Sequence, residues 1–337
     1  MGGQCYLLRV HPSKVVAALA LVLAACTPSS PAGTASSPSS PAGTGSSSSP
    51  AGTGSSTSGV PGGAGGLPNF SHVVVLIMEN HQYGDIIGNP QAPYINSLAH
   101  HYALATNYHA LAHPSLPNYL ALIGGSSFGV QSDCTDCPVS APNLVDQLEA
   151  HGISWKAYME DMPSPCFLGQ GFMKYAKKHD PFLYFTDITR TPARCDKVVP
   201  LTELSADLGN HALPQFAFIT PNLCHDMHGC GPNQGDTFLS QLLPTILPQL
   251  GPSGILFMTW DEGHPGSSTI PGAACCPAAQ GGQVVTIAAG PAAGQGVTVG
   301  TAYDHYSLLR TIEDAWGLER LGLTACSCVK PMTDLLS

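Results

Sequence analysis

His72-Val73-Val74-Val75-Leu76-Ile77-Met78 is an unbroken apolar run, and Glu79-Asn80 comes directly after it. A run this short, β-branched and without polar alternation reads as a strand buried on both faces of a parallel sheet. Trp155–Met159, Gln215–Ile219, Ile255–Thr259 and Gln283–Ala288 read the same way. Segments of helical character lie between and beyond them: Pro93–His101, Leu116–Ile123, Asn143–His151, Thr237–Leu250 and His305–Trp316. Strands alternating with helices predict a layered α/β fold with a mostly parallel sheet.

The residues just past each strand are informative. Glu79-Asn80, Glu160-Asp161, Thr220-Pro221-Asn222 and Trp260-Asp261-Glu262 each close a predicted strand. Open parallel sheets bind ligands outside the carboxyl ends of their strands, so hard oxygen donors line one rim. Such a rim suits a divalent cation or acid/base work on a polar substrate. Any one of these acids also fits a plain helix cap. Their repetition is what argues for a site.

The charges are unevenly placed. Positions 1–68 hold no Asp or Glu and only Arg9 and Lys14, which leaves 22 acids against ten bases on residues 69–337, a net charge of −12. A domain that acidic repels phosphate backbones, which excludes nucleic-acid binding through a basic face. The overall charge also disfavours a polybasic mode of membrane contact. No apolar run beyond the N-terminus reaches the roughly 18 residues of a spanning helix.

Arg9 and Lys14 flank the start of Val15–Leu23, and Ala24-Ala25-Cys26 comes next, the pattern of an export signal over residues 1–25. Leu23-Ala24-Ala25-Cys26 resembles a bacterial lipobox, which implies cleavage before Cys26 and a lipid on its sulfur. An ordinary signal peptide with a chance Cys is the alternative. Residues 26–68 are almost entirely Ser, Pro, Gly, Ala and Thr, with Ser-Pro-Ala-Gly-Thr recurring from Ser30, Ser40 and Ser49. That composition cannot bury enough apolar area to order itself, and it reads as a tether for a folded domain at 69–337. The expected place is the outer face of the cell envelope. Ten Cys remain in the domain, an even number that reads as disulfides in an exported chain. Their pairing stays open, with Cys224–Cys230 one local possibility, and Cys134-x-x-Cys137 also reads as half a zinc site.

Five stretches occur in a telling order: Met78-Glu79-Asn80-His81, His113-Pro114-Ser115-Leu116-Pro117-Asn118-Tyr119, Thr220-Pro221-Asn222-Leu223-Cys224-His225-Asp226-Met227-His228, Trp260-Asp261-Glu262-Gly263 and Tyr303-Asp304-His305-Tyr306-Ser307. Together they resemble the bacterial phosphoesterase family of secreted acid phosphatases and phospholipases C, above all its short exported phosphatidylinositol-3-phosphatase-like branch. The resemblance implies an alkaline-phosphatase-like α/β/α sandwich of three layers and metal-dependent phosphoryl transfer. It implies that Glu79 and Asn80 lie at the metal, with Asp261 and Glu262 as a second acidic pair in which Glu262 stands where the family usually has Asp. It further implies Ser115 as nucleophile and His228 and His305 as catalytic histidines. His113, Asn118, Asn222, Asp226 and Asp304 fall in the same motifs and are expected to bind substrate, a small phosphorylated molecule or phospholipid head group. Metal identity stays open among Mg²⁺, Ca²⁺, Mn²⁺, Zn²⁺ and Fe.

Elementary chemistry supports that set. Lys and Arg are absent from all five stretches, so a cation is expected to neutralise the phosphate. Ser115 comes after Pro114 at a predicted helix start, where free N–H groups attract anions, although it also fits an ordinary N-cap. An imidazole suits protonation of the leaving oxygen at mildly acidic pH. Tyr119 and Trp260 read as core or pocket wall. Three other functions compete. A phosphodiesterase or phospholipase C uses the same motifs. Gly125-Ser126-Ser127-Phe128-Gly129 matches the Gly-x-Ser-x-Gly of carboxylester hydrolases, with Ser127 as nucleophile, provided it lies between a strand and a helix. A solute-binding lipoprotein fits the anchor and tether. Gly263–Gly282, too long for a turn, reads as a lid or wall beside the site.

Overall fold

The computed structural model describes residues 67–264 and 279–337. The export signal, Cys26, the tether through residue 66 and most of Gly263–Gly282, including Cys275-Cys276, lie outside the described residues. Among the described residues one sheet has nine strands: β1 (Val73–Met78), β2 (Ala103–His109), β3 (Trp155–Met159), β4 (Val198–Pro200), β5 (Phe216–Thr220), β6 (Ile255–Trp260), β7 (Gln283–Ala289), β8 (Thr298–Val299) and β9 (Tyr303–Asp304). Their order is β8-β2-β7-β6-β1-β5-β3-β4, with β9 also paired to β2. Strand β7 runs antiparallel to both neighbours, and the other pairings are parallel.

All residues of β1, β5 and β6 are buried, which requires cover on both faces of the sheet. Helices supply it: α1 (Pro93–His101), α2 (Ser115–Gly124), α3 (Leu144–Ala150), α4 (Thr202–Gly209), α5 (Pro232–Ile246) and α6 (His305–Trp316). Helix α1 packs on α5, while α2 packs on α3 and α6. This is the expected mixed, mostly parallel α/β architecture. Burying the six apolar side chains of β1 contributes on the order of 10 kcal/mol before entropy is counted, so the residues just after Met78 stand on a rigid base.

Register then decides the site. Met78 pairs with Trp260 across β1 and β6, so Glu79 and Asp261 leave neighbouring strands at the same level. On the other side, β5 lies next to β1 and β3 next to β5, with Met159 opposite Thr220. The four strand ends singled out by sequence are thus consecutive neighbours in the sheet.

Several local expectations are corrected. Strand β2 contains Ala103, Ala105 and the polar pair Thr106-Asn107, too weak a pattern to show in sequence, and pairing with β7 and β8 holds it in the sheet. Helix α5 begins at Pro232, five residues earlier than its apolar pattern suggests, because Pro fits a first turn whose N–H groups have no partners anyway. Ser115 is the first residue of α2 rather than its cap; the cap position belongs to Pro114, and no side chain caps the helix there. The Gly-x-Ser-x-Gly segment comes after α2, so helix precedes it where an esterase needs strand. Gly125 is that helix's left-handed terminus, at φ 68°, and a Cβ there would meet the Leu321 carbonyl oxygen at 2.1 Å. Cys134 and Cys137 are bonded to each other, which removes the half-zinc-site reading. Cys166–Cys195 and Cys224–Cys230 also pair, and these disulfides fit an oxidising, extracytoplasmic compartment. No helix among the described residues is long and apolar enough to cross a membrane.

Candidate active site

A cavity of about 480 Å³ opens at the carboxyl ends of β1 and β6, lined by Asn80, His81, Pro114, Ser115, Asp133, Lys178, His228 and Glu262. Glu79 lies beneath it and is wholly buried. Its two carboxylate oxygens gather three elements: Oε2 accepts from the Ser115 hydroxyl at 3.2 Å, and Oε1 accepts from the Tyr119 hydroxyl at 2.6 Å and lies 3.2 Å from His179 Nε2. Ser115 and Tyr119 sit one turn apart on α2, so one helix face presents both to one carboxylate. The Asn80 backbone N–H donates to Asp261 Oδ1 at 3.2 Å, with Asn80 held at φ 56°, and its carboxamide donates to Glu79 Oε2 at 3.3 Å.

The rest closes around this pair. The Glu79 N–H donates to the Asp226 carbonyl, which ties the loop after β5 to the end of β1. His179 Nδ1 lies 3.4 Å from Asp226 Oδ2, and the ring stacks on Tyr119 at 5.3 Å. Glu262 Oε2 accepts from His113 Nδ1 at 2.7 Å. Lys178 Nζ donates to Asp133 Oδ2 at 2.8 Å and stands 3.4 Å from His228 Nε2. Asp133 Oδ1 accepts the Leu116 N–H at the start of α2, so one carboxylate orients both the helix and the lysine.

Buried carboxylates crowded together resist ionisation, and these do. Burial, then Asp261 and Asp226, push the Glu79 carboxyl well above its ordinary range. Asp226, Asp261 and Glu262 are each raised as well, burial being the main cause. His179 is held down to about 3 by burial and then by Lys178, so its ring is neutral with a lone pair available. The His228 ring is lowered by burial, Lys178 and His179. Burial works against the Lys178 charge, but the hydrogen bond and charge of Asp133, with Glu79 and Asp261 beyond, hold its ammonium above the ordinary lysine range.

The residues fit a metal ion. Ligand atoms of Glu79, His179 and His228 lie within 4.8 Å of one another. Asp226 Oδ2, Asp261 Oδ2 and His179 Nε2 are buried without any hydrogen-bond partner, an arrangement costly without a further group to satisfy it. A mixed carboxylate and imidazole set suits Zn²⁺, Mn²⁺ or Fe over Ca²⁺.

Sequence reasoning and geometry overlap without coinciding. Ser115, Glu79, Asn80, Asp261, Glu262, His113, Asp226 and His228 converge as expected. His305 does not reach the cavity: it is fully buried, Nε2 donates to the Asp261 carbonyl at 2.7 Å, and Nδ1 accepts from the Tyr108 hydroxyl at 3.0 Å. It supports Asp261 from behind. Asn118 spends its carboxamide on the backbone of residues 111, 112 and 114, and so shapes the loop that delivers Ser115. Asn222 is bound to Asp161 and to the N–H groups of Cys224 and His225. Asp304 caps α6. Lys178, His179, Asp133 and the carboxylate contact of Tyr119 lie outside what the motifs indicate. The one signal for them is Lys177-Lys178-His179, two of only ten bases in the domain, side by side.

The Phosphoesterase family pattern matches residues 89–319. The chain belongs to the Phosphoesterase family. A phosphatidylinositol-3-phosphatase of Mycobacterium tuberculosis is 33% identical to this phosphoesterase over 276 residues, covering 81% of this chain and 85% of that protein. A phosphate-repressible acid phosphatase of Penicillium chrysogenum is 33% identical over 245 residues, covering 69% of this chain but only 56% of the fungal one. Among solved structures, a Vibrio parahaemolyticus protein of the alkaline phosphatase superfamily superposes with a TM-score of 0.54 at 13% identity, over 80% of this chain and 72% of its own. That likeness concerns the fold, which is the sandwich the motifs implied. The phosphoesterase is accordingly a hydrolase of phosphoric esters.

Proposed function

We propose that this phosphoesterase is an exported, metal-dependent phosphatase that hydrolyses phosphate monoesters, phosphoinositide head groups among them, through Ser115. The observation that carries the reading is the Ser115 hydroxyl, at the first position of α2, donating to the buried carboxylate of Glu79 at 3.2 Å. A serine that is not the helix cap and that donates to a buried carboxylate at the cavity supports a nucleophilic role. Glu79, His179 and His228 would hold the metal, with Asp226, Asp261 and Asn80 beside them; a divalent cation bound there would supply charge to neutralise phosphate oxygens and to acidify a nearby hydroxyl.

The chain's own groups divide the work. Glu79 Oε2 holds the Ser115 proton and orients the oxygen for in-line attack on phosphorus. The ester bond breaks as the Ser115–phosphorus bond forms, the alcohol leaves with a proton, and water then releases phosphate. The Lys178 ammonium, on the cavity wall, faces the phosphoryl charge. Asp133 fixes it and, through the Leu116 N–H, the start of α2. His228 lines the same cavity wall, where its ring would serve the metal. Residues 1–25 direct export, and a lipid on Cys26 with the tether behind it keeps the domain at the envelope.

The test measures p-nitrophenyl phosphate turnover by the purified chain across about pH 4 to 9, with and without a chelator. Turnover that a chelator abolishes and added metal restores supports the reading. Turnover indifferent to chelation overturns the metal, and none at any pH overturns the phosphatase.

A further inference from the structure

Among the described residues, the exposed large apolar side chains are Leu168 (52%), Phe172 (46%) and Met173 (79%). All three fall on one excursion between β3 and the Lys177–His179 turn. It is a built structure. Cys166 is bonded to Cys195, and strands Gly171–Phe172 and Tyr175–Ala176 form a hairpin closed by Met173-Lys174. The Phe167 ring stands edge-on to Phe172 at 6.4 Å and to Tyr175 at 5.9 Å. The Lys174 carbonyl accepts from the Leu223 N–H, fastening the turn to the loop that carries Asp226 and His228.

Two features of the tip are unexplained by folding. Met173 occupies the left-handed region at φ 51°, where a side chain is disfavoured and Gly or Asn is usual, yet its apolar chain points into solvent. The surrounding charge is also anomalous. Residues 162–179 contain no acid and three lysines; Lys177 donates to the Thr135 carbonyl and Lys178 to Asp133, which leaves Lys174, exposed in the turn beside Met173, as the cation at the tip. An apolar tip with an exposed lysine in its turn is the chemistry of a side chain that enters the acyl boundary while the neighbouring ammonium meets anionic head groups.

We propose that the Gly171–Ala176 hairpin docks on an anionic lipid surface, seating Phe172 and Met173 in it and bringing a lipid-borne phosphomonoester to the cavity beside Lys178. The substrate half rests on the phosphatase reading; the docking half does not. The net acidity of the domain opposes membrane contact elsewhere, which makes the docking local and oriented.

Phe172→Trp in the full chain provides a local reporter once read against the wild-type signal: Trp155 and Trp260 are buried, and the half-buried Trp316 is fixed by its indole N–H donating to the Phe70 carbonyl. Vesicles of phosphatidylcholine with phosphatidylserine should shift the new indole emission to the blue, and brominated acyl chains should quench it, both less so with phosphatidylcholine alone. Replacing Phe172→Asp and Met173→Asp together should lower hydrolysis of vesicle-borne phosphatidylinositol phosphate by about tenfold or more while p-nitrophenyl phosphate turnover holds. An indole that stays unshifted and unquenched overturns the proposal. So does a blue shift that tracks protein concentration without vesicles, since a second copy then covers the tip, and so does an equal loss on both substrates. A quenched indole in a protein with no phosphatase activity supports docking and removes only the substrate half.

Discussion

Lys178→Met removes one charge and keeps most of the side-chain volume, which makes it a clean probe of how phosphate charge is met. The side chain is 22% exposed, with Asp133 at 2.8 Å on one side and the cavity on the other. A unit charge about 4 Å from another is worth roughly 4 kcal/mol at an effective dielectric near 20. Asp133 offsets part of this, and solvent at the mouth screens more, which leaves about 2–3 kcal/mol for the transition state. That corresponds to about a 10²-fold loss in kcat/KM for p-nitrophenyl phosphate at saturating metal. Asp133 keeps its bond to the Leu116 N–H, so thermal unfolding should move little. Metal content, measured on the dialysed protein, should match wild type. A kcat/KM within about threefold of wild type would refute the role given to Lys178, and metal loss would show that the lysine acts through the cation instead.

The same contacts support further expectations. Asp261→Asn should lower metal stoichiometry and activity together while the fold persists, because the Asn80 N–H keeps an oxygen acceptor; elemental analysis beside activity checks it. Ser115→Ala should abolish turnover but leave inorganic phosphate binding, read by calorimetry, close to wild type; wild-type rates would mean that water attacks directly. Glu313 gives a pH effect remote from the site. Burial pushes its carboxyl from 4.5 up to about 7, and Oε2 has no partner. The native state therefore binds this proton more tightly than the unfolded chain, and the stability it contributes is lost as pH rises from about 4.5 through 7, at most about 3 kcal/mol. Glu313→Gln should unfold like wild type near pH 5 and at a higher temperature near pH 8, by thermal melting in each buffer. A wild-type melting temperature flat across that range would contradict it.

The reach of sequence reading here has a physical boundary. Strands buried on both faces announce themselves as apolar runs, and β1, β5 and β6 are legible for that reason. The oxygen donors beyond them are legible because strand ends are local. Strand β2 is not, since its pairing partners lie nearly two hundred residues away and its own residues favour no conformation strongly. The same limit hides His179. A lone histidine after two lysines says nothing until a chain excursion places it 3.2 Å from Glu79, a hundred positions earlier. Lys178 is hidden likewise, because it reaches the cavity from outside every motif. Asn118, Asn222 and Asp304 show the converse: motif membership marks a residue that shapes a loop as readily as one that touches ligand.

The parallel register that sets Glu79 beside Asp261 joins distant parts of the chain; the Asn80–Asp261 hydrogen bond alone spans 181 positions. No shorter stretch contains the centre, and a one-residue slip between β1 and β6 would turn one carboxylate away from the other. Synthesis proceeds from the N-terminus, and so would the proposed export, so a chain still threading through the membrane has Glu79 and Ser115 outside long before Asp261 arrives. Activity would then begin only when the last third of the protein has crossed. Phosphate esters of the compartment where the chain is made would thereby be spared by topology, with no inhibitor or propeptide needed.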